Sequence, residues 1–463
     1  MRIGPRAGIR LVLAVLLGTA VTGLVVPAAH AAATDVRINE VESSGGSPGD
    51  WVEVTNIGAT AVDLSGWVVK DNDAGHAYTI AAGVSLAPGA FLALDVDPAF
   101  GLGSADSARL YQAGGSTLVD SYTWTSHAGT TYGRCANGTG AFTTTTTATK
   151  ASANACPPPP PAAWPGGSGV ANADTTGFFG ANLSGVAYEN ASVVWAVKNG
   201  PGKLYRLVPN GALWQADTTG GWSAGKTLRY ASGSGDPDAE AVVSTPDGVV
   251  VATERDNNNS GTSLLKVLRY ATAGTATSLN ATAEWNLTAD LPAAAANSGL
   301  EAITWVPDAA LVAAGFRDER TGALYDPSTY PGHGSGLYLV GLESNGAVYA
   351  YALNQAGGGF TRVATIAGGQ AAVMDLEWEP ATGRLWAVCD DTCSGRATTL
   401  TVNAQGRFVA TSTHNRPTGM SNYNNEGFAI APQSACVGGA KQVLWSDDGN
   451  DSSHALRSGT LSC

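Results

Sequence analysis

Along the second half of the chain one arrangement of apolar and polar positions keeps returning: a polar turn, one short polar side chain, then a brief apolar run. The copies are ANLSGVAYE, DPDAEAVVS, NSGLEAITW, VMDLEWEP and NNEGFAIAP; four carry a glutamate (Glu240, Glu301, Glu377, Glu426) and the first carries Ser184 at the marked place. Each copy is followed by a second apolar segment (VVWAVKN, VVVATERD, LVAAGFRD, RLWAVCDD, QVLWSDDGN) and then by others such as KLYRLV, LLKVLRYA, GLYLVGL and TLTVNA. A strand-rich unit repeated every few dozen residues between turn residues predicts a β-propeller, with the marked strand of each blade innermost. Five units are visible. The marked positions are 56, 61, 76 and 49 residues apart, and the long third interval leaves room for a sixth blade. The last unit runs out after HALRSGTL, so its outermost strand is expected from the segment around Thr175 to Phe179, which would close the ring.

Ahead of the repeats, RINEVESS, DWVEVTNIG, VDLSGWVVKD, HAYTI, FLALDV, ARLYQ and LVDSYTW alternate apolar and polar positions between Gly, Pro, Asn and Asp, and no helical period is present. Short strands packed this closely predict an immunoglobulin-like β-sandwich. The whole chain is therefore expected to be all-β. Trp51 and Trp67 lie within strand patterns, which favours core packing over a ligand platform, and Asp71, Asn72 and Asp73 form a polar turn that reads as a solvated turn in preference to a cation site. Five consecutive prolines, Pro157 to Pro161, followed by AAWPGGSG, mark residues 157–169 as a semi-rigid linker to a propeller spanning 170–463.

The segments Ile38-Asn39-Glu40-Val41, Asp50 to Asn56 and Asp63-Leu64-Ser65-Gly66-Trp67 closely resemble the signature of the lamin-tail domain family over about residues 34–156. The resemblance implies an Ig-like sandwich that serves as an accessory or binding module beside secreted hydrolases and nucleases.

Composition then places the chain in a compartment. A basic start, MRIGPRAGIR, an uncharged apolar run and the site Ala29-His30-Ala31 read as a secretory signal peptide over residues 1–31, and a retained membrane anchor is the alternative. Export makes disulfides the favoured state of Cys135, Cys156, Cys389, Cys393, Cys436 and Cys463, with neighbours in sequence paired. The 25 Lys and Arg against 38 Asp and Glu, a net charge of -13, disfavour a phosphate-backbone partner such as nucleic acid. A soluble monomer, free of the membrane after cleavage, is the expected form.

The inner strands of a propeller begin at its central channel, so Glu240, Glu301, Glu377 and Glu426 should converge there with Asp238 and Asp375 close by. Crowded carboxylates repel one another unless a cation sits among them, and Ca²⁺ fits an all-oxygen set. The competing role is structural: each glutamate accepts backbone N–H groups of the next blade and fixes its register. A second set, Lys198, Arg255, Arg317, Asp390 and Asp447, follows the marked positions by 14, 15, 16, 13 and 21 residues. Three basic and two acidic groups at one opening would suit a phosphorylated ligand with metal, though surface ion pairs give the same pattern. The loops ERDNNNSG and SDDGNDSS, with Asp256, Asn257, Asp447, Asp448 and Asp451, are oxygen-rich without EF-hand spacing.

DAEAVVSTPDGVVVATERDN, NSGLEAITWVPDAALVAAGFRDE and NNEGFAIAP with VLWSDDGN resemble the repeated segments of the phytase-like family of secreted propellers, named for esterase-like activity of phytase. Several copies here have Glu-Ala or Glu-Trp where that family has Glu-Gly. The resemblance implies a phosphoester or ester hydrolase. A calcium-dependent phosphoester hydrolase and a non-catalytic propeller binding a ligand or cell-surface partner are the two readings left. A serine esterase ranks below them: G-x-S-x-G occurs at Ser47 and Ser223 without a helical pattern behind either, and His76, His127, His333, His414 and His454 are scattered.

Overall fold

The computed structural model describes Met1 and residues 33–463; the signal segment and its cleavage site after Ala31 fall among the residues it does not describe. Two compact units divide at Pro158 and Pro159. Among the described residues no helix is long and apolar enough to cross a membrane.

The first unit is a two-sheet sandwich. One sheet orders Ala141–Thr144, Tyr132–Cys135, Val36–Glu42, Trp51–Asn56 and Phe91–Asp95; the other orders Tyr78–Thr79, Val68–Lys70, Asp106–Tyr111 and Leu118–Trp124. Alternating side chains from both sheets, among them Ile38, Val52, Val54, Val69, Leu94 and Leu110, fill the space between them. Trp67 joins that core and Trp51 is 2% exposed, so both tryptophans pack rather than present a platform. The turn at Asp71 is satisfied by the protein itself, since Asp73 N–H and His76 Nδ1 meet the Asp71 carboxylate at 2.8 and 2.7 Å.

Polar residues on the opposite side of the Val36–Glu42 strand are buried as well, because the segment ending at Cys156 is strapped over them. The Cys135–Cys156 disulfide ties that strap, Thr149 Oγ1 donates to Glu40 Oε2 at 2.7 Å, and Ala151 N–H donates to Glu53 Oε2 at 2.6 Å. Burial, with the Glu40 charge adding, pushes the Glu53 carboxyl up to about 7 against the hydrogen bond from Asn39. A carboxyl raised above its unfolded value stabilises the fold only while protonated, so stability falls as pH rises through the folded pKa. Between about pH 5 and about pH 8 the domain should lose about 2–3 kcal/mol, and Glu53→Gln should flatten that slope in urea titrations at a series of pH values. An unchanged slope would refute the assignment to Glu53.

The second unit is a five-bladed β-propeller. The inner strands are Leu183–Asn190, Pro237–Thr245, Leu300–Pro307, Asp375–Glu379 and Asn425–Ile430, each a sheet edge and each beside the next in a closed ring; the outer strands of blades one and two are joined by a parallel pairing of Lys226–Arg229 with Ser278–Asn286. The long third interval holds no sixth blade. After Leu300–Pro307 the chain makes a short helix, Asp308–Ala313, then a hairpin pairing Arg317–Asp318 with Ala323–Leu324, before the second strand Gly336–Leu342. LVAAGFRD, read as a strand from its apolar character, is thus partly helical. Alanines favour a helix, Pro307 sits at its N-cap, and only Leu311 needs to be buried.

Ring closure comes from Ala171–Asn172, which pairs with Ser458 and Arg457 in the fifth blade, a few residues ahead of the Thr175–Phe179 segment expected for it. The linker is also shorter than residues 157–169. Ala162 N–H donates to Thr413 O at 2.7 Å, and Trp164 is buried among Trp386, Phe428 and Trp445, its indole N–H donating to Thr460 O at 2.8 Å. A tryptophan's apolar area outweighs the freedom of a Gly-rich spacer. The other cysteines pair as expected, Cys389 with Cys393 and Cys436 with Cys463, and no free cysteine remains.

Candidate site at the mouth of the propeller channel

The inner-strand glutamates reach the channel through a local backbone device. Strand register shifts between Ala239 and Ala241, between Leu300 and Ala302, and between Asn425 and Gly427, which leaves Glu240, Glu301 and Glu426 as the extra residue of a β-bulge. A bulge re-aims its side chain, here toward the axis. Oxygen atoms of Glu240, Glu301 and Glu426 lie within 4.8 Å of one another; so do those of Asp238, Glu240 and Glu254, and those of Glu254, Glu301 and Glu343. Together with Asn182, Asn199, Asn257, Asn297, Asn424, Arg255 and Asp448, most of these groups line a cavity of about 320 Å³.

Blade four differs. Its register runs unbroken from Asp375 to Glu379, so no bulge turns a side chain inward. A proline stands six residues after each bulged glutamate, at Pro246, Pro307 and Pro432, and counting back six from Pro380 gives Met374. Glu377 is therefore three residues further along the strand, and it lines a different cavity, of about 250 Å³, with Tyr188, Trp305 and Glu379. Burial raises its carboxyl to about 8. Asp375 is 1% exposed and accepts Phe428 N–H at 2.7 Å from blade five, so it fixes blade register.

Of the repeated glutamates, Glu377 takes the structural role, its Oε1 accepting Ile430 N–H of blade five at 3.4 Å; at the other blade contacts that role belongs to other residues. Thr304 Oγ1 accepts Trp378 N–H at 3.1 Å, Glu254 Oε1 accepts Gly299 N–H at 2.7 Å, and Ser184 Oγ donates to Glu240 O at 2.6 Å. The Glu301 carboxyl, in a residue 5% exposed, receives no such bond. Among the described residues no N–H or cationic group donates to it; its carboxyl shares a hydrogen bond with that of Glu254, and Glu240, Glu426 and Glu343 are its other charged neighbours. Burial first, and then those four charges, push Glu301 well above the ordinary carboxylate range. Glu240 is raised by burial and by Glu426, Asp238 and Glu254; Glu426 by burial and then Asp448. Asn424 Nδ2 donates to Glu426 Oε1 at 3.0 Å, while Glu426 Oε2 is buried without a partner.

The basic and acidic set separates. Arg255 is at the mouth and already engaged: Nε lies 2.5 Å from Asp238, a guanidinium nitrogen 3.3 Å from Glu254, and another bond reaches Ala296 O. Asp238 is held at about 6 because burial outweighs that pairing. Lys198 Nζ donates to Phe179 O at 2.8 Å, with Asp448 as its nearby acid. Asp390 caps a one-turn 3-10 helix through Thr392 N–H at 3.0 Å. Asp447 is fully buried against Arg457 at 3.2 Å, so it serves its own loop. Arg317 lies in the inserted hairpin beyond the far end of its inner strand and pairs by backbone with Gly406 O at 2.7 Å, which removes it from the mouth. Glu254 and Glu343 escaped the sequence reading because they lie at the end of, or just after, second strands and outside the repeated motif, whereas Asp448 was marked by its oxygen-rich loop. The G-x-S-x-G serines precede strands, not helices.

Residues 29–126 match the family model described as Lamin Tail Domain. No curated protein matches the chain. Solved structures of similar outline include a protein of unknown function from Bacteroides thetaiotaomicron VPI-5482 (9% identical, 91% of this chain and 94% of that one, TM-score 0.32). Another comes from Bacteroides caccae (11% identical, 62% and 83% covered, TM-score 0.31), and a third is a luciferin-regenerating enzyme (10% identical, 63% and 95% covered, TM-score 0.29). The two remaining strands of the first sheet, Tyr132–Cys135 and Ala141–Thr144, extend the sandwich past the matched residues. The chain thus carries a lamin-tail domain of Ig-like sandwich fold ahead of a five-bladed β-propeller.

Proposed function

We propose that the propeller mouth holds a hard divalent cation, Ca²⁺, and that the chain works outside the cell as a calcium-dependent phosphoester hydrolase with the lamin-tail domain as an accessory binding module. The observation that carries this reading is Glu301, a carboxyl buried among four others with no N–H or cationic donor among the described residues against it. The donor set around it is carboxylate and amide oxygen without histidine or thiolate, which fits Ca²⁺ better than zinc. The basic-apolar leader and three disulfides support export. Glu240, Glu301 and Glu426 would hold the cation. A bound cation supplies Lewis acidity toward a phosphoryl oxygen, which a mouth lined by acids would otherwise repel. Arg255, Asn199, Asn257 and Asn424 ring the opening as donors that orient a small phosphorylated substrate.

A second reading, calcium-dependent binding without turnover, is favoured by one observation: both cations near the mouth, Arg255 and Lys198, are already occupied by protein oxygens. Purified protein assayed on phytate and nitrophenyl phosphate, with Ca²⁺ or with EDTA, decides between them. Phosphate release only with Ca²⁺ is expected. Bound Ca²⁺ without release selects the binding reading, and no bound Ca²⁺ overturns both.

A further inference from the structure

Of the three overlapping carboxylate triads at the mouth, two share Glu301, and the third, Asp238, Glu240 and Glu254, has Arg255 against Asp238 and Glu254. Glu240, Glu301 and Glu426 come from the bulged inner strands of blades two, three and five; Glu254 ends up beside them from the second strand of blade two, and Glu343 from the turn after the second strand of blade three. In each triad the three ligand oxygens lie within 4.8 Å of one another. Oxygens on opposite sides of one Ca²⁺ are separated by about twice the metal–oxygen distance of about 2.4 Å, so each triad matches a single coordination sphere. One ion on the axis leaves Glu254 and Glu343 facing each other. Arg255 offsets part of the Glu254 charge at 3.3 Å, but its closest contact is Asp238, and no cationic group of the described residues pairs with Glu343. Glu301 belongs to both of these triads, is buried, and has its one side-chain hydrogen bond with Glu254, another member of the cluster, so no group outside the cluster competes for its oxygens, as a bridging carboxylate requires.

We infer that the mouth binds two divalent cations side by side, bridged by Glu301: one held by Glu240 and Glu426, the other by Glu254 and Glu343. This rests on the calcium reading of the same cavity. Two adjacent ions would give the site room to hold two oxygens of one phosphoryl or carboxyl group, one per ion.

The test is the number of ions bound by the full chain after EDTA treatment, read by calorimetric Ca²⁺ titration and by metal analysis of dialysed protein. Glu301→Gln supplies the baseline, so that ions bound elsewhere cancel. Wild-type protein should bind two more ions than Glu301→Gln, and Glu343→Gln one more, with its circular dichroism unchanged. A difference of one for wild type overturns the pair and leaves the single-ion reading intact. No difference overturns both readings. If Glu343→Gln still binds two, the assignment of Glu343 is wrong. Glu254→Gln provides an independent check, expected to bind one, should Glu343→Gln fold poorly.

Discussion

Glu301→Gln should melt higher than the wild-type protein in EDTA and lower in saturating Ca²⁺. Without a cation, wild type crowds the Glu301 carboxyl against Glu240, Glu254, Glu426 and Glu343 in a buried position, and a neutral amide of the same shape removes that repulsion. With the cation present the order inverts, because an ion bound at about a hundred times its dissociation constant stabilises the folded state by about 2.7 kcal/mol. For a unit of this size that amounts to about 4 °C in Tm. Glu377→Gln should leave the calcium shift intact, since Glu377 lines the other cavity. Differential scanning calorimetry of the three proteins under both conditions would show the crossing. Parallel shifts of wild type and Glu301→Gln on adding Ca²⁺ would remove the site.

Lys441→Met should destabilise the propeller by about 3–5 kcal/mol. Lys441 and Glu379 are each 3% exposed, and their charged atoms are 2.6 Å apart. Removing the ammonium leaves a carboxylate in the interior with only Thr382 Oγ1 and Trp386 Nε1 donating to it, at 2.7 and 3.1 Å. The double variant Glu379→Gln with Lys441→Met should recover at least half of the loss, because the amide still accepts from Trp386 while no charge is stranded. Burial acts to raise the Glu379 carboxyl, but the hydrogen bonds from Lys441, Thr382 and Trp386 and the lysine charge outweigh it, so the net shift is downward. The stability contributed by this group is present above the ordinary carboxylate pKa and is lost as pH falls through the lower folded value. Urea denaturation followed by tryptophan fluorescence measures both variants. A single variant within about 1 kcal/mol of wild type would show that the pair contributes little.

The repeat was legible because a glutamate one position before an apolar run leaves the same trace in each blade. It misled at blade four, where VMDLEWEP offers a glutamate in a matching setting. The bulge that turns Glu301 inward is absent there, and the proline six residues downstream identifies Met374 as the equivalent residue. That signal was present in the sequence; its meaning depends on strand register, which the apolar pattern does not encode. The second basic and acidic set failed more widely. Equal spacing after the marked position assumes equal loops, and the insertion after Pro307 carries Arg317 to the far end of the blade.

By itself the sequence determined the two-part all-β architecture, the pairing of cysteines close in sequence and the strands whose starts meet at the axis, because alternation, turn residues and short loop closures are local properties. Only the tertiary structure decided the blade count, the shortened linker and the membership of the acidic cluster. Glu254 and Glu343 come from different blades and outside the motif, and three bulges aim side chains that a regular strand would turn elsewhere. Convergence of charge across blades is a property of ring closure, which brings together residues that no periodicity along the chain relates.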